Sequence, residues 1–217
     1  VPEEKRNVAA AGCGPSCLCM MVDSADFVNY ELTDCLKLSN EVGANREIGT
    51  SLKILGPVVA ERFNLNYGET SDLNELKATW QKGGLAIANS GGDREGYTGV
   101  FTHGGHYILV VSADDNEACI LDPSYKEGKY EEPGRDGKAR AVDGFVYCSL
   151  KVLAEDCANR TPSYYLFQES IKNMKSAAAG KWKSSAPGTA AHLCEDADHR
   201  KRPRGTPEGA RTHASLV

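Results

Sequence analysis

The sequence predicts an α+β domain with helices first and an antiparallel sheet after them. Apolar residues recur at helical spacing through the first half of the 217-residue chain, whereas the second half holds short apolar runs divided by Gly, Asp and Asn turns. Helices and strands that segregate along a chain, instead of alternating, indicate α+β architecture.

Residues 1–12 are polar and then Ala-rich, an extended lead-in. The apolar run from Cys17 to Val22 predicts a first helix that starts near Cys13 and ends near residues 23–25, and Pro15 suits its first turn, where no N–H is needed. Leu32, Cys35, Leu36 and Leu38 predict a second helix within 31–41. Thr50 or Ser51 is placed to cap a third, whose apolar set Leu52, Ile54, Leu55, Val58, Val59 and Phe63 encloses Pro57 as a kink or early-turn residue. Ser71-Asp72-Leu73-Asn74-Glu75 is a capping-box pattern ahead of Leu76 and Trp80, and Gly83-Gly84 ends that fourth helix.

Leu85-Ala86-Ile87-Ala88, bounded by glycines, reads as the first core strand. Residues 89–105 form a Gly-rich loop; no Lys-Ser/Thr follows in P-loop register, which argues against a phosphate cradle and for a wall of a substrate site. The runs after His106 and before Asp122 pair as a β-hairpin through Asp114-Asp115-Asn116. Residues 124–141, charged and containing Gly and Pro, read as an exposed loop. A strand at 142–146, a helix at 149–157 and a strand at 164–167 complete the pattern.

Beyond Asn173 the apolar periodicity stops, so a domain over residues 1–172 is expected to be followed by a disordered basic tail over 173–217. His192, Cys194, His199 and His213 lie in that tail at spacings that match no zinc pattern. Residues 172–217 hold nine Lys/Arg and four Asp/Glu; taking their +5 from the chain's −5 leaves a body at −10. An acidic body lacks the clustered cations that nucleic-acid binding needs and favours peptides or small molecules as partners. No apolar run reaches the ~18 residues of a transmembrane helix, and no secretory signal is visible. The eight cysteines show no disulfide framework spacing. A reducing, cytoplasmic location is the expectation, with room for an upstream segment ahead of Val1.

The chemistry centres on Gly12-Cys13-Gly14-Pro15. A cysteine between two glycines at a helix start has an accessible thiol, and the first-turn N–H groups and the helix dipole stabilise its thiolate. Cys17 and Cys19 make a C-x3-C-x-C cluster with it, but helical geometry turns Cys19 away from the other two, so core packing is the expected role of both. Downstream, His106 opens one strand of the hairpin and Asp122 closes the other. In an antiparallel pair the start of one strand lies beside the end of the next, so imidazole and carboxylate become neighbours. His103 is the rival base, but it falls within the Gly-rich loop, whereas His106 directly precedes the apolar strand.

Cys-Gly-Pro at a helix start, Gly-His-Tyr ahead of an apolar strand and Asp-Pro after the next strand, in that order, resemble the C39-like branch of papain-fold cysteine peptidases over residues 7–168. The resemblance implies a papain-like fold, with Cys13 as nucleophile, His106 as general base and acid, and Asp122 orienting the imidazole. It also implies an oxyanion donor six residues before the nucleophile. The family commonly has glutamine there; this chain has Asn7, the same amide on a stem one methylene shorter. The implied activity is hydrolysis of a peptide bond in a peptide or protein substrate through a thioester, without cofactor or metal. Two alternatives are a γ-glutamyl-peptide transpeptidase of the phytochelatin-synthase type and a catalytically silent papain-like domain that binds peptides.

Overall fold

The computed structural model describes residues 11–24, 30–46 and 49–170. Asn7 and the expected tail at 173–217 lie outside the described residues. Helix α1 (Cys13–Ser24) and α2 (Leu32–Glu41) lead to a two-stranded ribbon of β1 (Asn45–Arg46) and β2 (Gly49–Thr50), then to α3 (Leu52–Arg62). Strand β3 (Leu65–Thr70), α4 (Leu73–Gln81), β4 (Leu85–Ser90), β5 (His106–Ala113), β6 (Glu117–Leu121), β7 (Ala139–Val142), β8 (Phe145–Ser149), α5 (Leu150–Cys157) and β9 (Tyr164–Glu169) follow. The architecture is mixed α+β.

Seven strands form one antiparallel sheet in the order β3-β9-β4-β5-β6-β8-β7. Both faces are covered, which is why its central strands are apolar without alternation. Leu109 and Val111 of β5 pack with Leu18, Met21, Leu52 and Leu55 of α1 and α3. Ile108 and Val110, on the other face, pack with Leu76 of α4 and Leu153 of α5. Burying each such side chain is worth about 1.5–3 kcal/mol, so the two apolar layers hold the sheet between helices.

The structure corrects the sequence reading in three places. Residues 65–70, given no element, form β3; their partner β9 is nearly a hundred residues away, beyond the reach of local pattern. Residues 142–146 are the end of one strand, a turn and the start of the next. Asp143 and Gly144 both take positive φ (51° and 86°), the two-residue conformation that joins hairpin strands with their natural twist. The loop at 124–141 is not wholly exposed, because Lys129, Tyr130 and Arg135 are buried. The capping pattern at 71–75 is met by Asp72, which accepts the Asn74 N–H at 2.8 Å, while the Ser71 hydroxyl accepts the Ser163 N–H. At α3, Ser51 takes the N-cap position without a side-chain bond.

Candidate active site

Cys13 is the first residue of α1, and the Gly12 carbonyl accepts the Ser16 N–H at 2.8 Å, so the helix starts at the thiol. The backbone here is tightly held. A methyl group at Gly14 would stand 3.3 Å from side-chain carbons of Leu52 and Tyr107 and 3.4 Å from Thr50. Glycine therefore lets the helix mouth sit close against β5 and α3. The Cys13 thiol hydrogen-bonds with His106 and receives the N–H groups of Tyr107 and Gly14. Burial pushes its pKa up, but the hydrogen bond and charge of His106, aided by the two N–H donors, bring the net shift below the ordinary thiol value.

His106 is placed by β5, where it pairs with Ser90 of β4. The loop that delivers it is anchored by the fully buried Asp156 of α5, which accepts from Ser90 Oγ, from Tyr97 Oη at 3.0 Å and from the Val100 N–H at 2.7 Å. The imidazole Nε2 lies 2.8 Å from Asp122 Oδ1. That bond occupies Nε2, so Nδ1 is the nitrogen left to exchange a proton with Cys13. Burial pulls the imidazole pKa down, but the hydrogen bonds to Asp122 and Cys13 raise it overall.

Asp122 directly follows β6 and is held from every side. Oδ1 also accepts the Ser124 N–H at 2.9 Å and the Ser124 hydroxyl at 3.1 Å. Oδ2 accepts from Lys129 Nζ and from Tyr130 Oη, each at 2.6 Å. Burial opposes ionisation of this carboxyl, yet the His106 hydrogen bond and the Lys129 charge hold its pKa well below the carboxylate range. Burial lowers the Lys129 ammonium pKa, and Asp122 counters most directly. With thiolate, imidazolium, carboxylate and ammonium all formed, the four charges sum to zero inside the protein.

The structure thus brings together Cys13, His106 and Asp122. His103 stands apart in the loop, exposed, with Nδ1 2.9 Å from Asp93 Oδ2 and Nε2 3.8 Å from Glu132 Oε2. Cys17 is fully buried one turn below Cys13, and Cys19 faces Cys35 of α2. Among the described residues no group of three or more His, Cys, Asp or Glu is set to hold a metal ion, and no helix is long and apolar enough to cross a membrane.

Sequence reasoning missed Ser124, Lys129 and Tyr130. The Asp-Pro-Ser turn, with the aspartate accepting from the N–H two residues on, was a legible signal for Ser124. For Lys129 there was none, since a lysine in a charged loop is ordinarily solvated. Comparison with known proteins finds no family model and no curated protein that matches the chain.

Proposed function

We propose that this chain is a cysteine peptidase with a papain-like arrangement, in which the mouth of α1 meets the end of the sheet and a peptide lies across the junction. The observation that carries the proposal is the continuous relay from the Cys13 thiol through His106 to Asp122, with the last link at 2.8 Å. The resemblance in motif order supports it independently.

In this reading His106 takes the Cys13 proton, and the thiolate attacks the scissile carbonyl carbon. The developing oxyanion accepts the Cys13 N–H at the start of α1, where the helix dipole also favours negative charge. Asn7 is the proposed second donor. The imidazolium gives its proton to the leaving amine, and the acyl group stays on sulfur as a thioester. His106 then takes a proton from water, hydroxide adds to the thioester, and Cys13 departs as the free thiolate. Asp122 keeps the Nε2 proton in place and stabilises the imidazolium, while Lys129 and Tyr130 fix the carboxylate.

The test is a peptide-library digest read by mass spectrometry, with Cys13→Ala as control. New termini that vanish in the variant support the proposal. Their absence under conditions where a thiol-directed alkylating peptide still labels Cys13 would favour the silent-domain alternative. Glutathione supplied as both donor and acceptor tests the transpeptidase, whose product is the γ-glutamyl-extended peptide.

A further inference from the structure

Topology collects at one end of the sheet the start of β5 with His106, the end of β4 at Ser90, the end of β6 beside Asp122 and the start of β9. Arg160 sits in the connection from α5 to β9, at that same end. Its guanidinium lies against the exposed Gly105, immediately before His106; a methyl group there would stand 2.7 Å from Nη2.

Arg160 is half-buried and poorly matched. Nη2 has the Gly91 carbonyl at 3.5 Å, a long contact, and Nε is buried without a partner. No carboxylate among the described residues forms an ion pair with it. The nearest in sequence, Asp156, is spent on Ser90, Tyr97 and Val100. A buried donor without a partner is costly, so the Nε of Arg160 marks a guanidinium that the fold has not fully matched.

Arg160 acts on the hydroxyls of both Tyr107 and Tyr165, which hydrogen-bond to each other. The Tyr107 ring packs on Gly14, and its hydroxyl feels the charge of Cys13. Tyr107 thus packs beside the Cys13 end of α1 and is hydrogen-bonded to Tyr165, while Arg160 lies against Gly105, the residue before His106.

We propose that Arg160 is an anion subsite beside Cys13 that receives a carboxylate of the substrate; the inference rests on Cys13 being the nucleophile. A body of net charge −10 would repel an acidic ligand unless a local cation met it. Arginine's planar fork suits a carboxylate, which would be met by the Nη groups, of which Nη2 has only the long Gly91 contact. The carboxylate can be the free C-terminus of a peptide or an acidic side chain.

The test compares iodoacetate with iodoacetamide as alkylating agents of Cys13, at low ionic strength, with adducts mapped by mass spectrometry. The two reagents differ in carrying a carboxylate or an amide. Arg160→Gln is expected to lower the iodoacetate-to-iodoacetamide rate ratio by about tenfold, the loss of one charge-assisted contact, while the iodoacetamide rate holds. Arg160→Lys, which keeps the charge, should retain most of the ratio. A ratio unchanged in Arg160→Gln, with Cys13 alkylated normally, overturns the subsite and leaves the nucleophile intact. Failure of both reagents to label Cys13 in the wild type overturns the nucleophile and the subsite together. On cleaved peptides, paired C-terminal acids and amides, and paired Glu and Gln variants, identify the source. Preference in either pair that disappears in Arg160→Gln supports the subsite, and preference in neither overturns it.

Discussion

Lys129 sets its ammonium 2.6 Å from Asp122 Oδ2, the oxygen opposite the one that faces His106, and both side chains are almost wholly out of water (5% and 0% exposed). A buried cation thus backs the carboxylate of the proposed triad. Glu132 and Arg135 act on Lys129 from the same loop, and the Tyr130 hydroxyl shares Oδ2.

Replacing Lys129 by Met should move the pH profile of activity, not merely lower it. The acid limb reports formation of the thiolate, and the alkaline limb reports loss of the imidazolium proton. Removing the cation makes the thiolate less stable, so the acid limb rises; it also leaves Asp122 uncompensated, which stabilises the imidazolium, so the alkaline limb rises too. Both limbs should shift upward by on the order of one pH unit. A fall in kcat with both limbs in place would mean that Lys129 only fills space.

Asp122→Asn should destabilise the fold by roughly 3–5 kcal/mol, because it strands the Lys129 charge inside the protein. Adding Lys129→Met to Asp122→Asn should restore most of that stability without restoring turnover. Chemical denaturation of the three variants checks this. A double variant no more stable than Asp122→Asn would refute the stranded-charge account.

The Cys13 thiol pKa is lowered and the His106 pKa is raised, so thiolate should persist below the range of an ordinary thiol. At pH 7, where a thiol of pKa ~8.5 is only a few per cent ionised, iodoacetamide should label Cys13 at a clearly larger fraction of its plateau rate than such a thiol shows. Cys35 also has a lowered pKa, chiefly through the Cys19 hydrogen bond, but it is fully buried and should label slowly. His106→Ala should return the Cys13 rate profile to that of an ordinary thiol. Preferential labelling of Cys17 or Cys35 would remove Cys13 from its role.

Measured below their melting temperatures, His106→Ala should abolish turnover and Asp122→Asn should lower kcat by ~10 to 10⁴-fold. The pair act as one unit, so the double variant should be little worse than His106→Ala. His103→Ala touches only the exposed Asp93 and Glu132 contacts, and kcat/KM should stay within about threefold of wild type, the scale of a lost surface ion pair. Losses at His106 and Asp122 that simply multiply would dissolve the triad.

The sequence by itself determined what depends on neighbours along the chain. The helix opening at Cys13, the hairpin from His106 to Asp122 and the Ser149 start of α5 all follow from local periodicity, capping and turn chemistry. Imidazole and carboxylate could be paired in advance because an antiparallel hairpin leaves its two ends side by side. The turn at Asp143-Gly144 was written just as locally; the flanking valines masked it by reading as one apolar run. Other relationships only the tertiary structure decided. The meeting of Cys13 with His106 depends on α1 packing across β5, and the place of β3 depends on a partner from the far end of the domain. Lys129 and Arg160 have the composition of surface residues. The burial of Lys129 and the half-burial of Arg160 are set by loops folding onto the sheet end, where the free energy of an ion pair or an unmatched donor depends on which groups arrive from elsewhere and how much water they exclude.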